Sequence, residues 1–121
     1  MEEVLARYFQ EIDAARESSN FSFLPEIFAH NCMYERLGTP TLNGLGALTT
    51  FYENDCVIKT GRHTIESSQV TGPLSIVAHG VFNGIKTTGD PIINLAFIDY
   101  FDFNDELKVV RRRTVFPGEK V

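Results

Sequence analysis

Residues 91–103 have the sequence PIINLAFIDYFDF, and the alternation within this segment decides the fold. Side chains on a β-strand point alternately to its two faces, so residues of one parity share a face. The odd positions are apolar with one exception; they are Ile93, Leu95, Phe97, Asp99, Phe101 and Phe103. The even positions mix polar and apolar residues. The segment therefore predicts a strand whose odd, buried face carries a single carboxyl group, that of Asp99.

Asp99 is the first candidate functional residue because a carboxylate is costly to bury. An unpaired buried carboxylate loses several kcal/mol of solvation, so such a group is either hydrogen-bonded or held protonated. A carboxyl group that stays neutral near pH 7 can donate a hydrogen bond and move protons. A structural Asp would only bind a backbone group or a Tyr hydroxyl. Phe97 and Phe101, on the same face, are expected to form apolar walls of a ligand site.

The rest of the chain divides into helices followed by strands. Turn signals such as Thr71-Gly72-Pro73 bound four strands, at roughly 57–70, 74–83, 91–103 and 107–116. Apolar residues at helix spacing predict a first helix near the start of the chain; they are Val4, Leu5, Tyr8, Phe9 and Ile12. Two more helices are expected over about 22–29 and 45–54, with a short strand over 32–36. This order predicts an α+β fold, a cone-shaped α+β barrel whose N-terminal helices pack on a curved antiparallel sheet enclosing a pocket.

Size and composition restrict the function classes. A chain of 121 residues is expected to form one domain, 1–121, and its net charge of −5 argues against nucleic-acid binding. No segment approaches the ~20 apolar residues of a membrane span, and the first residues lack the basic and apolar regions of a signal peptide. Cys32 and Cys56 have no disulfide or metal-ligand spacing. We expect a cytoplasmic protein without metal or cofactor that binds neither nucleic acid nor membrane.

Three residues outside the 91–103 segment are further candidates. His63 shares the inward, odd face of strand 57–70. Tyr8 lies on the buried stripe of the first helix, where its hydroxyl needs a partner such as Asp99 or a ligand oxygen. Glu35 either pairs with Arg36 at the surface or serves the pocket.

Parity leaves the orientation of the last strand open. One face carries Arg112, Thr114 and Phe116, and the other carries Arg111, Arg113 and Val115. Either set of arginines is compatible with the inside of the fold.

The order of short motifs along the chain resembles the nuclear-transport-factor-2-like superfamily, and within it the SnoaL-like and ketosteroid-isomerase-like branch. The motifs are ARYFQEID, GTPTLNGLGALTTFY, GRHTIE, HGVFNG, LAFIDYFDF and RRRTVF, and together they span nearly the whole chain. By resemblance to ketosteroid isomerases, Tyr8 and Asp99 would be oxyanion-hole donors and Tyr52 would belong to the same network. The catalytic base of those enzymes would fall on Glu35.

Other members of the superfamily imply different roles. By resemblance to SnoaL-type polyketide cyclases, Asp99 would be the general acid/base. By resemblance to the dehydratases and the hexachlorocyclohexane dehydrochlorinase, the base would be His63, with an Asp at the end of the first helix that loosely matches Asp13. The dehydrochlorinase also has an Arg near the position of Arg112. That match would turn the Arg112 face inward and add Arg112 and Phe116 to the ligand site.

Two functions are compatible with these residues. The first is a cofactor-free isomerase, cyclase or lyase acting on a small hydrophobic substrate that bears a carbonyl or hydroxyl group. The second is a non-catalytic ligand-binding or adaptor domain of the same fold, since fold does not fix function. A homodimer is also expected, because Ile92, Ile98 and Tyr100 on the outer face of the predicted strand need cover.

Overall fold

The computed structural model describes residues 1–36 and 38–118. Within these residues the helices are α1 (Glu2–Ser18), α2 (Leu24–Ile27) and α3 (Leu45–Thr50), and a π-helical turn over Phe51–Asp55 continues α3. The strands are β1 (Phe28–Arg36), β2 (Leu42–Asn43), β3 (Ile58–Gly72), β4 (Ser75–Lys86), β5 (Pro91–Phe103) and β6 (Val109–Val115). They form one curved, open sheet in the order β2-β1-β6-β5-β4-β3. This is the expected α+β architecture of helices packed on a sheet.

Helix α1 covers the inner face of the sheet with the apolar stripe that its sequence predicts. The stripe is buried and consists of Leu5, Tyr8, Phe9 and Ile12. The helix ends at Ser19, which adopts the left-handed conformation (φ 57°) and returns its backbone N–H to the carbonyl of Ala15. No helix in the described part of the chain is both long and apolar enough to cross a membrane.

The sheet is not wholly antiparallel, and it does not close into a barrel. The four strands β3 to β6 pair antiparallel, as the sequence predicts. Strand β1, however, runs parallel to β6, with Phe28 opposite Val109 and Tyr34 opposite Arg112. The cone-shaped α+β fold is the predicted one, and its sheet is mixed and open where the sequence suggested an antiparallel barrel. Side-chain parity tells which face a residue occupies but carries no information about the direction of the neighbouring strand.

Element boundaries differ from the predicted ones in the first half of the chain. The helix expected over 22–29 ends at Ile27, because Phe28 already pairs with Val109 of β6. The helix expected over 45–54 changes to π-helical geometry at Phe51. Strand β2 was not predicted, since its two residues are too few to show alternation. At Phe28 a tertiary pairing, not the local pattern, sets the boundary.

A bulge in β5 displaces one residue from its predicted face. Ile93 was expected in the core, yet 74% of its surface is exposed. The pairing of β5 with β4 shifts register between Phe82 and Gly84, and Asn94 adopts a positive φ of 48°. Such an irregularity resets the alternation of a strand. As a result Ile92, expected on the outer face, lies in a cavity wall with Ile93 beside it.

Two glycines make room for the aromatic rings on the inner face. A Cβ atom at Gly61 would lie 2.1 Å from the ring of Phe82, and one at Gly80 would lie 2.8 Å from the ring of Phe97. Both distances are far below van der Waals contact. Because glycine has no Cβ atom, these two Phe rings can pack closely against the sheet, where they form part of the cavity described below.

The homodimer expected from the outer face of the sheet remains a prediction. Ile98 and Tyr100 lie on that face, opposite in parity to Asp99, and Tyr100 is exposed. We expect light scattering at micromolar concentration to report a dimer. Ile98→Glu should shift it toward monomer, because it places a charge in an apolar contact. Gln10→Glu on the exposed side of α1 is the matched control and should leave the dimer intact. A monomeric native chain would contradict the prediction.

Candidate functional site

A cavity of about 700 Å³ opens on the inner face of the sheet, between α1, the π-helical turn and the central strands. Its apolar wall comes from Phe82, Phe97, Leu95, Ile92 and Phe116. Six of its polar residues converge from five elements; they are Tyr34, Tyr52, His63, Asp99, Arg112 and Thr114. A largely apolar pocket with a few convergent polar groups is the usual form of a small-molecule site.

Asp99 and Arg112 form a buried ion pair at the bottom of this cavity. Nε of Arg112 donates to Oδ1 of Asp99 at 3.1 Å, and Nη2 donates to Oδ2 at 2.9 Å. The hydroxyl of Thr114, directly opposite Asp99 on β6, donates a further bond to Oδ1. Asp99 is 0% exposed. Two parallel bonds from a guanidinium are the geometry of an ionised carboxylate, so Asp99 is a charged partner rather than the neutral acid that the sequence suggested.

The surroundings of Arg112 keep it charged. Burial alone would lower the pKa of Arg112, but the Asp99 carboxylate and three nearby tyrosines raise it well above the ordinary value. The guanidinium also lies over the rings of Tyr8 and Tyr34, with centroids at 4.8 and 4.6 Å. Cation–π contacts of this kind replace part of the lost hydration of a buried arginine. The question that parity left open is thus settled: the Arg112 face of β6 points inward.

The remaining donor nitrogen of Arg112, Nη1, donates hydrogen bonds to two tyrosine hydroxyls. It donates to the hydroxyl of Tyr8 and, at 3.1 Å, to that of Tyr52, and these two oxygens are 2.6 Å apart. Only one of the two hydroxyls donates to the other. Tyr52 lines the cavity, whereas Tyr8 is buried behind it. Because an unused buried donor is unfavourable, Tyr8 donates to Tyr52, and the Tyr52 proton points to the cavity.

Tyr34 extends the same network from the other side. Its hydroxyl lies 3.1 Å from the hydroxyl oxygen of Thr114. The single proton of Thr114 goes to Asp99, so Tyr34 must be the donor in this contact. Burial raises the pKa of Tyr34, which keeps its hydroxyl protonated. Every oxygen of Asp99 is therefore bonded to a donor that other protein groups fix in place.

A second polar unit, separate from this network, consists of His63 in the wall and Asp13 behind it. Nδ1 of His63 is 2.7 Å from Oδ1 of Asp13, and the backbone N–H of His63 donates to Oδ2 at 2.8 Å. The carboxylate of Asp13 thus holds both the ring and the strand that carries it. It also places the proton of a neutral His63 on Nδ1, because a carboxylate can only accept. Nε2 of His63 has no hydrogen-bond partner in residues 1–36 and 38–118.

Aromatic rings surround the imidazole of His63. The rings of Phe9, Phe82 and Phe97 lie 4.8, 4.6 and 5.4 Å away. Burial among them lowers the pKa of His63, and the Asp13 carboxylate offsets only part of this effect. At neutral pH the ring is therefore uncharged and has a free lone pair on Nε2. A neutral imidazole oriented by a carboxylate is the arrangement of a general base.

No protein-family model matches the chain, and no curated protein matches it. Solved structures do match. An NTF2-like protein of unknown function from Exiguobacterium sp. 255-15 is 19% identical, with a TM-score of 0.78 over 93% of this chain and 96% of that one. The chain has the NTF2-like fold. SalBIII, an epoxide hydrolase/cyclase-like enzyme with a role in pyran ring formation in salinomycin, is 14% identical (TM-score 0.78; 95% and 88% covered). A proposed SnoaL-like polyketide cyclase from Jannaschia sp. CCS1 is 15% identical (TM-score 0.74; 93% and 82% covered).

Most of the predicted site residues lie in the wall of this NTF2-like cavity or directly behind it. The wall contains His63, Asp99, Tyr52, Phe97, Arg112 and Phe116. Tyr8 is behind the wall, where it contacts the site through Tyr52 and Arg112 rather than through Asp99. Asp13, which the resemblance places with His63, lies behind the wall and bonds the His63 ring.

Two predicted residues lie away from the cavity. Glu35 is on the outer face of β1, where its carboxylate accepts a bond from Nε of Arg111 at 2.6 Å. It pairs neither with Arg36, the surface alternative, nor with any wall residue. Phe101, expected in the ligand site, is buried in the core beneath α1 and stacks against Phe103. The alternation of β5 correctly turns Phe101 inward, but α1 covers this end of the strand.

Among the wall residues that were not predicted from the sequence, three carry polar groups close to the predicted ones. Tyr34 and Thr114 share the parity of the inward residues on their strands, a signal that was available once the inward face was known. Arg16 lies one turn after Asp13 on α1, so helix spacing places both near His63.

Breaking the buried ion pair should cost far more stability than breaking a surface pair. Asp99→Asn leaves Arg112 buried without a counter-charge, and we expect it to lower the free energy of unfolding by about 3–5 kcal/mol. Urea denaturation measures this change. Glu35→Gln, which removes the exposed partner of Arg111, is the control and should leave the midpoint nearly unchanged. Equal midpoints for the two variants would show that the Asp99–Arg112 pair does not hold a buried charge.

The lowered pKa of His63 makes stability depend on pH. The unfolded chain protonates this residue near the ordinary value of 6.5, whereas the folded chain does so only at lower pH. Between these two pKa values the unfolded state binds more protons than the folded state. The contribution of His63 to stability is therefore complete above pH 6.5 and is lost as the pH falls through the pKa of His63 in the folded state. His63→Gln should flatten the acid limb of a stability–pH curve, and His79→Gln, at an exposed site, should not. Identical acid limbs for His63→Gln and the native chain would argue against a buried neutral His63.

Proposed function

We propose that this protein is a cofactor-free acid/base enzyme that removes a proton from carbon next to the carbonyl group of a small, largely apolar substrate. Isomerisation, cyclisation and elimination all begin with such a step. The observation that carries the proposal is the His63–Asp13 dyad in a cavity wall, with Nδ1 bonded to Asp13 and Nε2 without a partner among the described residues. This assigns the base to His63 and not to Asp99 or Glu35.

His63 has the properties that a base needs at neutral pH. Its lowered pKa keeps the lone pair of Nε2 available, and the adjacent Asp13 stabilises the imidazolium that forms when the proton arrives. The Phe rings around it exclude water from the transfer. Positioned acid–base groups of this kind contribute about 10²–10⁴-fold in rate.

Tyr52 supplies the complementary donor. When a proton leaves the α-carbon, negative charge moves to the carbonyl oxygen and needs a hydrogen-bond donor at that point. The Tyr52 hydroxyl faces the cavity and accepts bonds from both Tyr8 and Arg112, which polarise it toward donation. Its proton is thus held ready for an enolate oxygen.

Asp99 acts in this proposal through Arg112. By holding Nε and Nη2, it leaves Nη1 directed at the two tyrosine hydroxyls. It is a positioning residue and does not exchange protons with substrate. The pair also has no net charge, so burying it adds no unpaired charge to the floor of the cavity.

The comparisons support the reaction class without identifying a substrate. Proteins of the same fold include a proposed polyketide cyclase and SalBIII, with its role in pyran ring formation. Polyketides and polyethers are organic molecules that bear oxygen. The apolar wall of a 700 Å³ cavity suits a molecule of that kind.

One observation favours the alternative, a binding domain without catalysis. Asp99, the residue that first suggested chemistry, is fully bonded to Arg112 and Thr114, as a structural carboxylate would be. The His63 ring oriented by Asp13, with no partner for Nε2 among the described residues, favours the enzyme because it is the arrangement of a general base.

Exchange of carbon-bound hydrogen in D₂O tests the proposed function. We expect the protein to accelerate α-deuteration of small cyclic ketones such as 2-tetralone, followed by proton NMR. His63→Gln should slow exchange about 10²–10⁴-fold, and Tyr52→Phe about 10²–10³-fold. The rate should fall with acid only below pH 6.5, where His63 begins to lose its lone pair.

His79→Gln and His30→Gln, at exposed sites, are the matched controls and should retain the native exchange rate. Acceleration that survives in His63→Gln would remove His63 from the role of base. No acceleration across a panel of cyclic and acyclic ketones would favour the binding domain.

A further inference from the structure

Arg16 is a wall cation with a buried donor nitrogen that has no partner among the described residues. Arg16 lies in the last turn of α1, one turn beyond Asp13, and its side chain forms part of the wall. Its guanidinium carbon is 5.6 Å from the centroid of the Phe82 ring. Nε of Arg16 is shielded from solvent and has no hydrogen-bond partner among the described residues. A buried donor without an acceptor is unfavourable and calls for an explanation.

Arg36, Arg62 and Arg113, like Arg16, form no ion pair with the described residues, but of these four only Arg16 has a buried nitrogen without a hydrogen-bond partner. Arg7 pairs with Glu11 and Glu26, and Arg111 and Arg112 each pair with one acid. No carboxylate of the described residues lies within 4.0 Å of the Arg16 guanidinium. The chain has 16 acidic residues against 11 basic ones, so acids are not scarce. Asp13, one turn before Arg16 on the helix, directs both oxygens to His63.

The wall as a whole carries an excess of positive charge. Because Arg112 is cancelled by Asp99, the remaining wall cations are Arg16, Arg36 and Lys86. The acids that oppose them are Asp55 at the wall and Asp13 behind His63. This local excess stands against a net charge of −5 for the chain. An anion is therefore attracted to the cavity despite the acidic protein around it.

We infer that Arg16 is a specificity-determining residue that binds a carboxylate group of the substrate. A guanidinium already laid against an aromatic ring offers a planar fork of N–H donors that matches a carboxylate with two bonds. His63 packs against the same Phe82 ring, at 4.6 Å between centroids. A carboxylate held by Arg16 thus lies on the His63 side of the cavity. The remaining, apolar part of the substrate extends along Phe97 and Leu95.

This inference rests on the proposed function for the position of the reacting carbon. It names the substrate class as small carboxylic acids whose acidic C–H lies close to the carboxylate end. Arg16 also contributes to the lowered pKa of His63. Neutralising Arg16 with a bound carboxylate removes that contribution and makes His63 a stronger base when substrate is present.

A matched pair of probes tests the inference without turnover. The probes are 2-naphthoate and 2-naphthamide, which share size and shape and differ in charge. Calorimetry should show that the native protein binds 2-naphthoate about 10- to 100-fold more tightly, the range expected of a charge-assisted bond. NMR should show the His63 pKa rising with 2-naphthoate and not with 2-naphthamide.

Variants at Arg16 separate its charge from its packing. Arg16→Gln and Arg16→Met should both reduce the preference for 2-naphthoate to within about twofold. Arg16→Met keeps the aliphatic contact with Phe82, so it tests the charge even if Arg16→Gln folds poorly. Arg62→Gln, at an exposed site on β3, is the control and should retain the full preference. His63→Gln should also retain it, because Arg16 binds the carboxylate independently of the base.

Equal affinity of the native protein for the two probes would overturn the inference. So would a preference that survives in both Arg16 variants and disappears in Arg36→Gln, since the anion would then lie at the Phe116 side of the cavity. Neither result bears on ketone exchange by His63. Failure of the proposed function and failure of this inference are thus read from different measurements.

Discussion

The bidentate ion pair between Asp99 and Arg112 is the interaction on which the rest of the site depends. Neither charge is tolerable in the core alone, and each has its bonds completed by groups from other elements. Asp99 accepts a hydrogen bond from the Thr114 hydroxyl, and Arg112 donates hydrogen bonds to the hydroxyls of Tyr8 and Tyr52. Through these contacts one pair ties β5 and β6 to α1 and to the π-helical turn. The cavity keeps its shape because its floor is a fully bonded polar network.

The two carboxylates of the site, those of Asp99 and Asp13, have different roles. Asp99 is surrounded by donors and stays charged, so it serves as an anchor. Asp13 faces a ring whose own burial disfavours protonation, so it orients His63 and stabilises the charge that forms on it. Asp99 thus has a structural role and Asp13 supports proton transfer, although both are aspartates. The neighbouring group, Arg112 or His63, determines the role.

Much of the fold could be predicted because it follows from periodicity. The stripe of α1 and the alternation of β5 placed Tyr8 and Asp99 inside, and parity placed His63 there as well. The state of Asp99 could not be predicted, because it depends on a partner thirteen residues away whose face was undecided. Alternation also fails at a bulge, as for Ile93. The direction of β1 and the partner of Glu35 depend on tertiary pairing, which no local pattern records.

Nitrogen-15 NMR of the His63 ring tests most directly whether this residue is the base of the site. In the native protein at pH 7 we predict a neutral ring with its proton on Nδ1, bonded to Asp13, and an unprotonated Nε2. The Nε2 resonance should move toward the protonated value only below pH 6.5. In Asp13→Asn we expect a mixture of the two neutral tautomers of His63 in place of the single Nδ1-protonated form. A ring already charged at pH 7, or a neutral ring with its proton on Nε2, would contradict the proposed mechanism.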